Sequence, residues 1–485
     1  MVTECTPDGT APVAQRTEDT HSMMPKDGGT LDVSRQYESS SGQGLESTAV
    51  ATPPDLAPVE PPAHTWTPIR VLSASSKAGL AVLGQALFAG SHFLVNVFLA
   101  RWLSPEQYGA FALAFSCFLL FSMLYSACIY EPMIVFGSGS YADSFHSYLA
   151  ILVRSNLVML AAVSGSMLAV SLLLGRLYSA NVQHAFAALA IAAPFIMLTW
   201  LGRGGFYARL QPGGAALGGA FYFCTLIGSL FLLRERNQLS PGTAFLAMGL
   251  AGLVASAFLL LRLGFRWKRT PHDLTVRTVT GDHWRYGKWA VASAVVAWFP
   301  DNIYYAVLPA FSGLGATAAL RALINLINPV LHVLYALSAV LIPTLVRHRD
   351  RAGTAGMTRT MKTLLGLLVP VSIVYMAMLW WFRLALFQAF YGGNYREYSG
   401  APVLLVGMIP IAAGAVMVLG AGLRAVERPS YVFWGYVAAS LSTLCFGLPL
   451  SRVWGVAGAG MLISSSVTAL ALAWLYHRRV HDVSY

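Results

Sequence analysis

One pattern limits what this chain can fold into more than any other. From residue 78 onward, apolar runs of about 20 residues alternate with short turns containing Arg, Gly or Pro, and a helix of that length crosses the hydrocarbon core of a bilayer. Helices satisfy their own backbone hydrogen bonds, which lipid cannot do for them. The runs predict twelve spans: 78–100, 108–130, 151–174, 184–202, 215–233, 243–263, 287–311, 317–345, 361–382, 400–422, 431–450 and 454–476. Only 11% of the 485 residues are charged. Soluble domains carry roughly 25%, so this chain has too little polar surface to coat a soluble globule. The expected fold class is an all-α integral membrane protein of about 12 transmembrane helices.

Charge divides the chain into two materials. Residues 1–69 hold ten acids and three basic residues, and the remaining 416 hold eleven acids and twenty-nine basic residues. Residues 1–70 are rich in Pro, Ser, Thr, Gly and acids, without periodicity, and read as a disordered acidic tail. The segment lacks the basic-then-apolar pattern of a cleaved signal peptide. The basic excess elsewhere lies in loops. It marks the cytoplasmic side of a membrane protein rather than a nucleic-acid surface, so no nucleic-acid partner is expected. One set of loops receives Arg203, Arg209, the run Arg266–Lys288, the run Arg347–Lys362, Arg424, Arg428, Arg478 and Arg479. The other set receives only Arg101, Arg176, Arg234, Arg236, Arg383, Arg396 and Arg452. The expectation is an inner-membrane protein with both termini in the cytoplasm.

The longest interior loop, 266–286, splits the spans six and six. It gives an N-terminal lobe over 71–265, a basic linker over 266–286 and a C-terminal lobe over 287–485. The halves echo each other faintly: Lys77 and Gly79 against Arg285 and Gly287, Ser104 against Ser312. A repeat of six spans is parallel, with its pseudo-axis along the membrane normal.

Polar residues inside the spans are the candidate site. Among the eleven acids outside the tail, Asp301 is the one clearly in mid-span, and it shares a helix face with Trp298 and Tyr305. Asn302 is its neighbour. On the next span Arg321, Asn325, Asn328, His332 and Tyr335 fall at i, i+4, i+7, i+11 and i+14, a polar stripe about four turns long. Gln85, His92 and Asn96 form a shorter stripe on the first span, and Arg154 opens the third. Taken singly, Asn and Gln often only join neighbouring helices, His often makes structural hydrogen bonds, and Arg321 near a span end can snorkel. Aligned stripes on adjacent spans point instead to a hydrated cleft. Counting outward from the turn near Gly313, Asp301 and Arg321 differ in level by roughly 9 Å at 1.5 Å per residue, so no tight pair is expected between them. The five cysteines have no disulfide or zinc spacing, and no metal or cofactor is expected.

The stretch from Phe98 and Arg101 through Leu103-Ser104-Pro105 to Tyr108-Gly109 and Phe111 resembles the first-hairpin motif of bacterial polysaccharide flippases. These belong to the multidrug/oligosaccharidyl-lipid/polysaccharide exporter superfamily. Tyr286-Gly287-Lys288-Trp289, the run from Arg321 through Asn328-Pro329 to Ile342-Pro343, and Phe390-Tyr391-Gly392 with Tyr395 resemble later family elements. The resemblance covers about residues 73–478 and leaves the tail outside. It implies two pseudo-symmetric six-helix lobes around a central cleft lined partly by spans one, two, seven and eight. It also implies alternating-access movement of an undecaprenyl-pyrophosphate-linked oligosaccharide for exopolysaccharide or O-antigen synthesis, with membrane lipids and other polysaccharide-assembly proteins as partners.

The alternative is a cation-coupled small-molecule or multidrug exporter of the same superfamily, with Asp301 as cation site. A membrane enzyme of polysaccharide assembly is the third reading. It is disfavoured because Glu106, Glu235 and Glu397 lie in three different exterior loops, and no DxD, GxSxG, HExxH or P-loop pattern stands out.

Overall fold

The computed structural model describes residues 68–266, 274–454 and 457–482. Residues 1–67 of the acidic segment, residues 267–273 of the expected linker and the side chain of Tyr335 lie outside the described residues. Within those bounds every regular element is helical. The helices are α1 (Pro68–Trp102), α2 (Pro105–Ser138), α3 (Phe145–Leu177), α4 (Ala180–Ala208), α5 (Pro212–Glu235) and α6 (Pro241–Arg262). A helical trace over Val276–Tyr391 follows, broken at Gly313 (φ 77°) and at Gly353 (φ 65°). Only glycine adopts such a φ without strain, so the trace is three helices: α7 (276–312), α8 (314–351) and α9 (354–391). The last three are α10 (Ala401–Ala425), α11 (Ser430–Arg452) and α12 (Ala457–Asp482).

By length and apolarity, eleven described helical stretches can cross a membrane; Val276–Leu334 holds α7 and the first part of α8, and Leu341–Tyr391 holds the end of α8 and α9. The twelve expected spans therefore all appear. α7 begins at Val276, so the second half of the expected 266–286 linker is helix. Its first turns pack on the N-terminal lobe instead of lying in solvent, which is why polar sequence there still folds.

Local chemistry sets the helix starts. Ser104 caps α2 in a capping box with Gln107, and Pro105 sits in the first turn where its missing N–H costs nothing. Ser240, Pro241 and Thr243 repeat the device on α6. α1–α6 form one lobe, in which α4 packs closely on α3 and α6, and α1 on α5. α7–α12 form the other, in which α10 packs on α12 and α11 on α12.

α2 and α7 form the seam. α2 contains a π turn at Ser126–Tyr130 and α11 another at Thr443–Gly447. α7 touches both: His283 reaches the Cys128 carbonyl, and the Tyr304 ring lies against Gly447. Such single π turns are rare and recur at functional positions. Here they mark where one helix crosses from the first lobe to the second.

Candidate substrate cavity and the lobe seam

A cavity of about 420 Å³ opens among α7, α8, α10, α11 and α12, with Leu119 of α2 at its edge. Asp301, Asn302, Tyr305, Arg321 and Asn328 line it. Asp301 is exposed to this space and has neither an ion pair nor a hydrogen-bond partner among the described residues. No ion pair forms between Asp301 and Arg321, in keeping with the expected offset along the helices. Asn302 donates to the Trp298 carbonyl at 3.2 Å.

The remaining lining was not read from the sequence. Arg424 at one end had been counted only as a loop charge, and Ser338, Tyr436, Ser464, Ser465 and Thr468 complete the polar wall. A signal existed: Ser464 and Thr468 fall at i and i+4 on one helix face. Isolated hydroxyls in a span are common enough that the pair did not stand out.

Other expected site residues lie elsewhere. Asn325 is fully buried and accepts a long hydrogen bond from Asn328 at 3.5 Å. Trp298 donates through Nε1 to the Ser116 carbonyl at 2.9 Å, joining α7 to α2. His332 is exposed, Arg154 is half-buried on α3, and neither lines the cavity.

On α1, His92 and Asn96 face protein rather than an open cleft, while Gln85 is exposed. Gln85 accepts from Arg203 of α4 at 3.1 Å. His92 packs against the rings of Phe88, Phe115 and Tyr222. Asn96 accepts from Arg321 Nε at 2.8 Å and from the Tyr108 hydroxyl at 3.2 Å. Arg203, which the sequence assigns to a loop, is 5% exposed inside α4 with its guanidinium 4.3 Å from the Phe88 ring centre. Its neighbours Gly202, Gly204 and Gly205 are all buried, so α4 stays helical and tightly packed where a loop was expected. The expected central cleft lined by spans one, two, seven and eight is therefore closed at α1 and α2. The cavity that holds Asp301 sits within the second lobe, and two arginines and aromatic rings pack along the polar stripe of α1.

The lobes are also joined at both ends. At one, Arg101 donates to the Ala389 carbonyl at 2.7 Å and Asn394 to the Ala100 carbonyl at 3.2 Å. Two sequence motifs thus meet there, the Leu103–Gly109 turn and the Tyr391-Gly392 element. Gly109 itself lies against the Leu314 carbonyl, where a Cβ would collide. At the other end Tyr141 donates to Asp282 at 2.6 Å, and the His283 ring bridges the Tyr148 hydroxyl (2.7 Å) and the Cys128 carbonyl (2.9 Å). Burial, then the hydrogen bond to Asp282, pushes the Tyr141 hydroxyl up to about 12.

No protein-family profile matches the sequence, and no curated protein matches it. Solved structures do. An inward-facing multidrug resistance MATE family transporter of the MOP superfamily superposes with a TM-score of 0.70 at 12% identity, over 83% of this chain and 99% of that one. The fold is that of the MATE transporters. A MOP superfamily transporter from Pyrococcus furiosus, described as having a binding pocket of reversed polarity, superposes at 0.61 with 13% identity over 84% of this chain and 95% of its own. The eukaryotic MATE transporter AtDTX14 superposes at 0.59 with 16% identity over 83% and 95%. In this chain the cavity with Asp301 and Arg321 on its wall lies in the second lobe, while the first lobe has hollows of about 540 and 390 Å³ around Leu210 and Gln211.

Proposed function

We propose that this chain is an alternating-access exporter of small amphipathic molecules, coupled to a cation at Asp301, with the cavity of the second lobe as its substrate site. One observation carries the reading: a cavity of about 420 Å³ with mixed polar and apolar walls, holding a carboxylate that has no ion pair among the described residues. Pockets of about 300–1,000 Å³ suit drug-sized ligands. An intramembrane carboxylate without a partner is costly to keep and suits a site that takes up and releases a proton or sodium ion. The likeness to multidrug MATE structures supports this reading over a polysaccharide flippase. The Lys and Arg asymmetry supports an inner-membrane orientation with the α6–α7 connection in the cytoplasm.

The second reading, movement of a lipid-linked oligosaccharide, rests on the Leu103–Gly109 hairpin motif and on the arginines, Arg321 and Arg424, that share the cavity wall with Asp301. The two readings separate in proteoliposomes. Under an imposed proton or sodium gradient, the exporter reading expects ethidium to move in the protein's presence and Asp301→Asn to abolish the gradient dependence. Gradient-independent flipping of an undecaprenyl-pyrophosphate oligosaccharide, with no ethidium movement, would establish the second reading in its place.

A further inference from the structure

Arg321 belongs to both lobes at once. It sits on α8, is 7% exposed, and forms part of the cavity wall. Its Nε–H is committed to Asn96 of α1 at 2.8 Å. The same Asn96 oxygen accepts from Tyr108, and the Asn96 amide nitrogen donates to the His92 carbonyl at 2.7 Å. That network fixes which way the amide points: its oxygen must face the guanidinium. The flat guanidinium lies 4.7 Å from the ring centre of Phe115 on α2 and 5.9 Å from that of Tyr305 on α7. None of the ion pairs among the described residues includes Arg321. A buried cation held by one neutral oxygen and aromatic faces is under-compensated, and a carboxylate, sulfonate or phosphate offers its planar fork a stronger, two-pronged partner.

We propose that Arg321 is a ligand-released tether: an anionic group entering the second-lobe cavity draws the guanidinium away from Asn96 and so frees α1 and α2 of the first lobe from α8. This rests on the cavity being the substrate site, and it adds to that site a place for an acidic group, carried by a substrate or by a lipid. The direction of the effect follows from linkage. A ligand shifts an equilibrium only by binding one state better, and the side-on pair through Nε–H and one Nη–H exists only in the released state. The anion has two possible sources, a soluble amphipath or a lipid phosphate.

The experiment places spin labels on exposed Glu106→Cys and Glu397→Cys, one at the start of α2 and one between α9 and α10, after the native cysteines are replaced by serine. Inter-label distances are measured in phosphatidylcholine nanodiscs with added sodium taurocholate, and separately in phosphatidylglycerol nanodiscs. In the parent protein, taurocholate is expected to raise the long-distance population saturably. A rise in phosphatidylglycerol alone would support the tether with lipid as its ligand. Asn96→Leu should raise the long-distance population roughly tenfold without ligand, since a charged hydrogen bond is lost. Tyr108→Phe, which keeps the ring, should raise it less. Arg321→Gln keeps a donor for Asn96 but no charge, so it should remain closed and stop responding. An Asn96→Leu protein that matches the parent, or a parent whose distances respond to neither anion, overturns the tether. Ethidium transport run on the same samples keeps the failures apart: transport that persists alongside unresponsive distances overturns the tether and leaves the exporter reading standing.

Discussion

The two six-helix lobes are built from helices of similar length and apolarity, yet they handle their polar residues in opposite ways. In the first lobe buried Arg203 donates to Gln85 and stacks on Phe88, and His92 packs against Phe88, Phe115 and Tyr222. In the second, Asp301, Arg424, Ser464 and Thr468 border a cavity. Polar groups of the first lobe are engaged with neighbouring side chains, whereas Asp301 of the second has no ion pair among the described residues. For the alternating-access exporter proposed above, such a division would let one lobe supply a firm surface while the other changes occupancy.

The largest expected effect separates filled from hollow packing. A Cβ at Gly252 would meet the backbone of Phe195 and Ile196, whereas nothing lies within 4 Å of one at Gly420 on the cavity wall. Gly252→Val should cost about 3 kcal/mol by overpacking and be lost from the folded fraction on size-exclusion chromatography. Gly420→Val should keep a near-parental unfolding temperature and lose transport as the cavity shrinks. Equal thermal losses for the two would erase the contrast.

Next in size comes the pair of charged residues. Arg203→Leu removes the hydrogen bond to Gln85 and the stacking on Phe88, and should destabilise by about 1–3 kcal/mol in thermal unfolding. Asp301→Asn should change stability by no more than about 0.5 kcal/mol, because no partner is lost, while transport falls. A protein with Arg321→Leu and Asp301→Asn together should show additive stability changes within about 0.5 kcal/mol, since the two side chains form no pair. Strong rescue of one by the other would show that they pair in another state of the cycle.

A more modest loss than that of Arg203→Leu is expected at the seam between the lobes. Tyr141→Phe removes the bond to Asp282 and should cost about 0.5–1.5 kcal/mol. The folded protein holds the Tyr141 proton to higher pH than the unfolded chain does. That contribution is therefore full below about 10, the ordinary tyrosine value, and is lost as pH rises through about 12. Thermal midpoints measured across pH 9–12 should fall more steeply in the parent than in Tyr141→Phe.

Much of this architecture was legible because lipid imposes simple rules. Apolar run length located all twelve helices, and Gly313 marked the α7–α8 turn. The motif letters of the first hairpin proved to be structural chemistry: Ser104 and Gln107 cap, Tyr108 binds Asn96, and Gly109 admits Leu314. The helical period also singled out Asp301, Arg321 and Asn328, which line the second-lobe cavity. It could not tell a cavity from a neighbouring side chain, and so Gln85, His92 and Asn96 were expected in a cleft that Arg203 and Arg321 fill. Arg203 was misplaced because a glycine-flanked arginine at a span end reads as loop.

Sequence alone thus determined the element list, since each helix answers to its own hydropathy, caps and breakers within a few residues. Tertiary structure alone decided which polar groups face each other. The partners of Arg321 and Asn96 lie 225 positions apart, and the cavity wall draws on five helices of one lobe. Contacts at that separation depend on how helices rotate and pack around their axes, and no local period in a single sequence records that rotation.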